Sequence, residues 1–89
     1  MARTLLLGDE IALPITTGAA TSFSSATVVR LVNTTGTAQV ITVVETQSGT
    51  GIGSFTMLGN TTELLEKNAS YCVFASAATV KGTKVGFTG

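Results

Sequence analysis

Histidine and tryptophan are absent from this 89-residue chain, and cysteine and proline occur once each. Without histidine, the usual base beside a catalytic nucleophile is missing. A single cysteine forms no disulfide within one chain. Zinc sites made of four cysteines, two cysteines with two histidines, or three histidines are excluded by count. Charge is scarce as well. Charged residues make up 11% of the chain, against roughly 25% in an average soluble domain. Five cations offset five anions, which excludes a basic nucleic-acid surface and a charged disordered tail. Long apolar runs are also missing. Leu5, Leu6 and Leu7 are followed by Gly8-Asp9-Glu10, well short of the roughly 7–15 apolar residues in the core of a secretion signal. No stretch reaches the roughly 18 apolar residues of a membrane helix. The expected compartment is therefore a cytoplasm, where a lone thiol is at home. Neither nucleic acid nor membrane is an expected partner, and no cofactor is expected.

What remains is a chain rich in threonine, valine and glycine, a composition that favours strands and tight turns. Asn33-Thr-Thr-Gly36, Gln47 to Gly53, Gly59-Asn60, Asn68-Ala-Ser70 and Lys81-Gly82 punctuate it as turns. Between them lie short segments at 26–32, 38–46, 53–58, 61–67, 71–75 and 83–88, lengths that match strands. No segment holds an apolar period of 3.6 over a helix length. The expectation is a single all-β domain over residues 1–89, a small antiparallel β-sandwich or barrel of about seven to eight short strands. Residues 26–89 form its core, and residues 1–25 are an N-terminal arm or edge strands.

Two segments leave alternatives. Asn60-Thr-Thr-Glu63 followed by Leu64-Leu65 has a helix-cap pattern, but the flanking turns leave room for only a short element, so a strand is preferred. Residues 16–25, with Phe23 as the one bulky side chain, read as a loop. The alternative is an arm that orders against a neighbouring subunit, with Phe23 as its anchor.

Strand alternation assigns Val29 and Leu31 to one face and Val28, Arg30 and Val32 to the other. In residues 38–46, Val40 and Val44 share one face, and Ile41 and Val43 share the other. An open sheet with one wet side alternates apolar with polar, and neither segment does so cleanly. Cover for the second faces is expected from outside the chain. The zero net charge and a mean hydropathy of +0.47 point the same way, because nothing keeps such chains apart. A homo-oligomer or larger assembly is expected, with Val28, Arg30, Val32 and Phe23 at its contacts.

The candidate chemical groups all have plainer readings. Cys72, in Tyr71-Cys-Val-Phe74, reads as a small buried hydrophobe. Asp9, Glu10, Glu45, Glu63 and Glu66 read as solvated turn and edge charges, Glu63 and Glu66 beside Lys67. Gly49-Thr-Gly51-Ile-Gly53 lacks the Lys-Ser/Thr ending of a phosphate loop and reads as a hairpin. Asn33, Asn60 and Asn68 stand in glycosylation-type triplets but read as turn residues. Lys81 and Lys84 are expected to guard an edge strand, and Phe55, Phe74 and Phe87 to lie in the core.

A set of phrases runs through the chain: Val29-Arg-Leu-Val-Asn33, Ile41-Thr-Val-Val-Glu45, Gly53-Ser-Phe-Thr-Met-Leu-Gly59, Leu65-Glu-Lys67, Val73-Phe-Ala75 and Lys84-Val-Gly-Phe-Thr88. Together they resemble small virion structural proteins of tailed bacteriophages, particularly those infecting marine bacteria and cyanobacteria. The similarity covers roughly residues 26–88. It implies a non-enzymatic capsid decoration (cement) protein, assembled in the host cytoplasm and located on the capsid surface. Its implied partners are the major capsid protein and copies of itself, with a trimer favoured. A neck, tail or fibre component is the alternative within the virion. A soluble carbohydrate- or ligand-binding sandwich is the alternative outside it, and would need an exposed aromatic platform.

Overall fold

The computed structural model describes residues 3–88. Eight strands follow in order: β1 (Arg3–Leu6), β2 (Ile11–Ala12), β3 (Val28–Asn33), β4 (Gln39–Val44), β5 (Gly51–Met57), β6 (Thr62–Glu66), β7 (Cys72–Ala75) and β8 (Val80–Thr88). The only helical piece among the described residues is a 3-10 turn at Thr17–Ala19. β8 is the central strand of the larger sheet. β1 and β2 pair successively along one side of it, β3 pairs along the other, and β6 lies beyond β3. The smaller sheet has the order β5-β4-β7. Every pairing is antiparallel, and the two sheets pack as a β-sandwich. The cap pattern at Asn60 loses to pairing with β3, which sets Leu65 opposite Val29.

Alternation defines the core. Val29 and Leu31 of β3, Ile41 and Val43 of β4, Val73 and Ala75 of β7 and Val80 of β8 are buried. Leu13, Phe23, Ala26 and Met57 join them in one cluster. Phe23 lies against Gly82, where a Cβ would stand 2.6 Å from the ring Cζ and 3.0 Å from Leu31 Cδ2. Gly82→Ala is therefore expected to overfill this layer and cost about 1–3 kcal/mol. The loss would appear as a lower urea midpoint at unchanged m.

Two buried polar side chains tie the two ends of β3 to neighbouring loops. Asn33 is fully buried. Its Nδ2 donates to Thr37 O at 2.8 Å and to Met57 O and Leu58 O at 3.3 Å. Its Oδ1 accepts from Thr35 N and Thr35 Oγ1. At the other end, Lys67 N donates to Thr27 O, and the Lys67 amine turns inward. The amine donates to Ala26 O at 2.7 Å and Ser22 O at 3.0 Å, with longer contacts to Asn68 O and Ala69 O.

The sandwich is stitched along one seam and open along the other. On the stitched side, Leu13 N donates to Val80 O and Ala75 N to Pro14 O, and Thr21 and Val73 exchange backbone bonds. Residues 11–21 thus join β8 of one sheet to β7 of the other. On the opposite side, among the described residues, β5 pairs only with β4 and β6 only with β3. The turn between β5 and β6 closes one end of this seam, and Asn33 pins that end. A cleft in this seam has Ile52 of β5 and Glu66 of β6 among its walls.

Candidate functional site

The outer face of the larger sheet carries Val28, Arg30 and Val32 together, each half-buried. The register sets Glu66 beside Val28, Leu64 and Thr83 on either side of Arg30, and Thr62 and Lys81 on either side of Val32. Leu64 is 54% exposed. The face is therefore mixed: valine and leucine side chains around one arginine.

A second apolar surface lies on the β1–β8 ribbon. β8 pairs with β3 only up to Lys84, so its last residues pair with β1 alone. Thr4 faces Phe87, Leu5 faces Gly86 and Leu6 faces Val85. Leu5, Leu6, Leu7 and Phe87 are all exposed, with Leu6 at 69%. Ile11 and Ile15, on the segment that follows, are exposed too. A third surface is the open seam. Its cleft, of about 250 Å³, is lined by Val43, Phe55, Leu65 and Tyr71, with Ile52 and Glu66 also at its walls.

Phe23 sits in its own chain's core, at 6% exposure, and is not presented to a neighbour. The reason is local. Phe23, Ser24 and Ser25 take φ values of 54°, 54° and 59°, a left-handed turn that L-residues adopt at a cost. Side chains hold the turn. Phe23 N donates to Thr21 Oγ1, Ser25 N to Ser22 Oγ, the Lys67 amine to Ser22 O and the Lys84 amine to Ser24 O. The ring is thereby turned onto Gly82.

Three other expectations are corrected. Lys81 and Lys84 guard no edge, because β8 is paired on both sides over these residues. Phe87 is 46% exposed rather than part of the core, since β8 outruns β3. The outer side of β4 is partly covered by the chain itself. Val44 is buried with Ala20 and Cys72, and Phe74 packs against them. This cover is held down by Ser48 N donating to Thr17 O and Gln47 Nε2 donating to Ala20 O.

Reactive groups do not converge. Cys72 is free and buried, at the edge of a shallow, polar-lined hollow of about 680 Å³ that contains no carboxylate. Asp9, Glu10, Glu45, Glu63 and Glu66 are all exposed. Among the described residues, no three side chains are grouped to hold a metal ion. No described helix is long and apolar enough to cross a membrane. Fold and surfaces together define a small antiparallel β-sandwich with uncovered apolar strands. Compared with known proteins, the chain matches no family model, no curated protein and no solved structure.

Proposed function

We propose that the chain is a non-enzymatic structural subunit of a virion, a capsid decoration protein that attaches through its apolar strand faces. The observation that carries this reading is the combination of zero net charge with large uncovered hydrophobic side chains on consecutive structural elements. Such surfaces associate when nothing charged keeps them apart. That a capsid is the surface covering them is part of the proposal, and it rests on the resemblance of the short phrases within residues 26–88 to phage virion structural proteins. The mixed face around Val28, Arg30 and Val32 is the proposed contact with the major capsid protein or neighbouring copies. Burying a few hundred Å² of apolar area per copy contributes several kcal/mol, at about 25 cal/mol per Å², before association costs. Repetition over a shell multiplies that gain.

The double substitution Val28→Lys with Val32→Lys tests this. Both side chains are half-exposed and point outward, so lysine stems can lie on the sheet with their amines in water. The expected result is loss of incorporation into particles, with the unfolding midpoint little changed. Incorporation at the wild-type level would overturn the assignment.

A further inference from the structure

The stitched seam shows what the open one lacks. Residues 11–21 supply backbone partners to β8 and β7 and lay Leu13 into the core. The open seam has an unpaired edge on β6, another on β5, and an apolar cleft between them. Gly53 of β5 lies at the wall of that cleft, and nothing lies within 4 Å of where its Cβ would be, so the cleft is unfilled on the β5 side.

We propose that β1 of a second copy docks along the free edge of β6, so that the larger sheet continues from one copy to the next and the cleft is covered. Sequence pattern, edge availability and charge each select this occupant. A strand with one wet face alternates, whereas a strand covered on both faces reads as a continuous apolar run. β1 continues directly into Leu5-Leu6-Leu7, yet every residue from Arg3 to Leu6 is exposed in its own chain. Its pattern fits an environment that its own fold does not provide. Among the described residues one side of β1 is without a partner strand, because β1 pairs only with β8. Laid along β6, one face of β1 would meet Leu64 on the outside, and the other would meet Leu65 and the cleft.

Charge then sets the direction of the contact. β1 carries Arg3 and no anion, whereas β6 carries the exposed Glu63 and Glu66. Carboxylates on an edge strand discourage a second β6 from pairing there, and two copies of Arg3 discourage β1 from pairing with β1. A β1–β6 pair brings opposite charges together. This contact is heterologous, so it closes into a ring or runs on as a chain. The proposal goes beyond the virion reading, because it concerns how copies join each other and holds for any shell or none.

The experiment is the solution mass of the purified full chain by light scattering over a concentration series. Two single variants change exposed side chains on opposite partners: Leu6→Glu on the donor and Leu64→Gln on the acceptor, so that the two altered strands do not complement each other in charge. Wild type is expected to form assemblies larger than a dimer. Each variant alone is expected to be a folded monomer, and an equimolar mixture of the two to form a one-to-one dimer and nothing larger. A wild-type chain that stays monomeric would overturn the proposal. So would a variant that keeps the wild-type mass, or a mixture that stays monomeric, which would mark a symmetric contact instead. Should either variant unfold, the charge pair answers the same question. Arg3→Glu is expected to weaken association about ten-fold, and adding Glu66→Arg to recover most of it. Absence of recovery would reject the β1–β6 pairing. Because no particle is present, this result stands apart from the incorporation test of the virion reading.

Discussion

Asn33→Asp is expected to destabilise the domain by about 4 kcal/mol or more, a large share of the roughly 5–15 kcal/mol that stabilises an ordinary domain. The Asn33 amide nitrogen faces three carbonyl oxygens, of Thr37, Met57 and Leu58. Aspartate would put an oxygen there. An ionised carboxylate would be buried against three acceptors with no donor to spare on that side. A protonated one would restore a single donor. The variant's carboxyl pKa is therefore raised in the folded state. Its stability is retained below the unfolded value and lost as pH rises through the folded one. Urea unfolding at acidic and neutral pH would show the variant closer to wild type in acid. Equal losses at both pH values would mean that Asn33 acts through shape alone. The local structure explains why the loss spreads. At this end of the sandwich Asn60 N also bonds Thr35 O, and Gly59 packs so closely on the Gly36 backbone that no Cβ fits there. Asn33 is the side chain that holds the β3–β4 and β5–β6 turns together.

Lys67→Met is expected to cost about 2–3 kcal/mol at neutral pH, from the loss of charge-assisted bonds to buried carbonyls. The methionine keeps much of the apolar stem but donates nothing to Ser22 O or Ala26 O. The left-handed turn at Phe23, Ser24 and Ser25 loses one of its ties, so amide exchange should rise first in residues 22–26. Burial pushes the Lys67 amine below the 10.5 of a free lysine; the Cys72 side chain opposes this shift and Lys84 adds to it. Because the folded pKa is the lower one, the unfolded chain keeps its proton over a window in which the folded chain has released it. Stability from this group therefore rises with pH from the folded value up to 10.5. Subtracting the Lys67→Met profile from the wild-type profile isolates that rise. A flat difference would show that the carbonyl bonds fully offset the burial of the charge.

The candidate surfaces were only partly legible beforehand. Alternation alone places Val28, Arg30 and Val32 on the outer face, because neighbouring side chains in a strand must point to opposite sides. The same rule is silent about Phe23, whose direction depends on three successive positive φ values and on two lysines distant in sequence. The run Leu5-Leu6-Leu7 stands in the sequence, but its exposure depends on β8 extending past β3. The open seam has no local signature, since it exists only because β5 and β6 end up at the same side of different sheets.

By itself the sequence determined the class of the fold. Short apolar segments of threonine and valine between glycine and asparagine turns make strands, and the period of two separates Val29 and Leu31 from Val28 and Val32, and Ile41 and Val43 from Val40 and Val44. Those are local effects, set by sterics and by water at each strand's two faces. Burial of Ile41 and Val43 rather than Val40 is seen only in the structure. Which strand stood at the centre was decided only by tertiary structure. Lys81 and Lys84 have the composition of an edge, yet β8 is central because β1, β2 and β3 all pair with it. Asn33 reads as a turn residue and Lys67 as the charged end of a strand segment. They are buried because turns from distant parts of the chain converge on them with carbonyl groups that water no longer reaches. Such needs arise between segments, and no single segment records them.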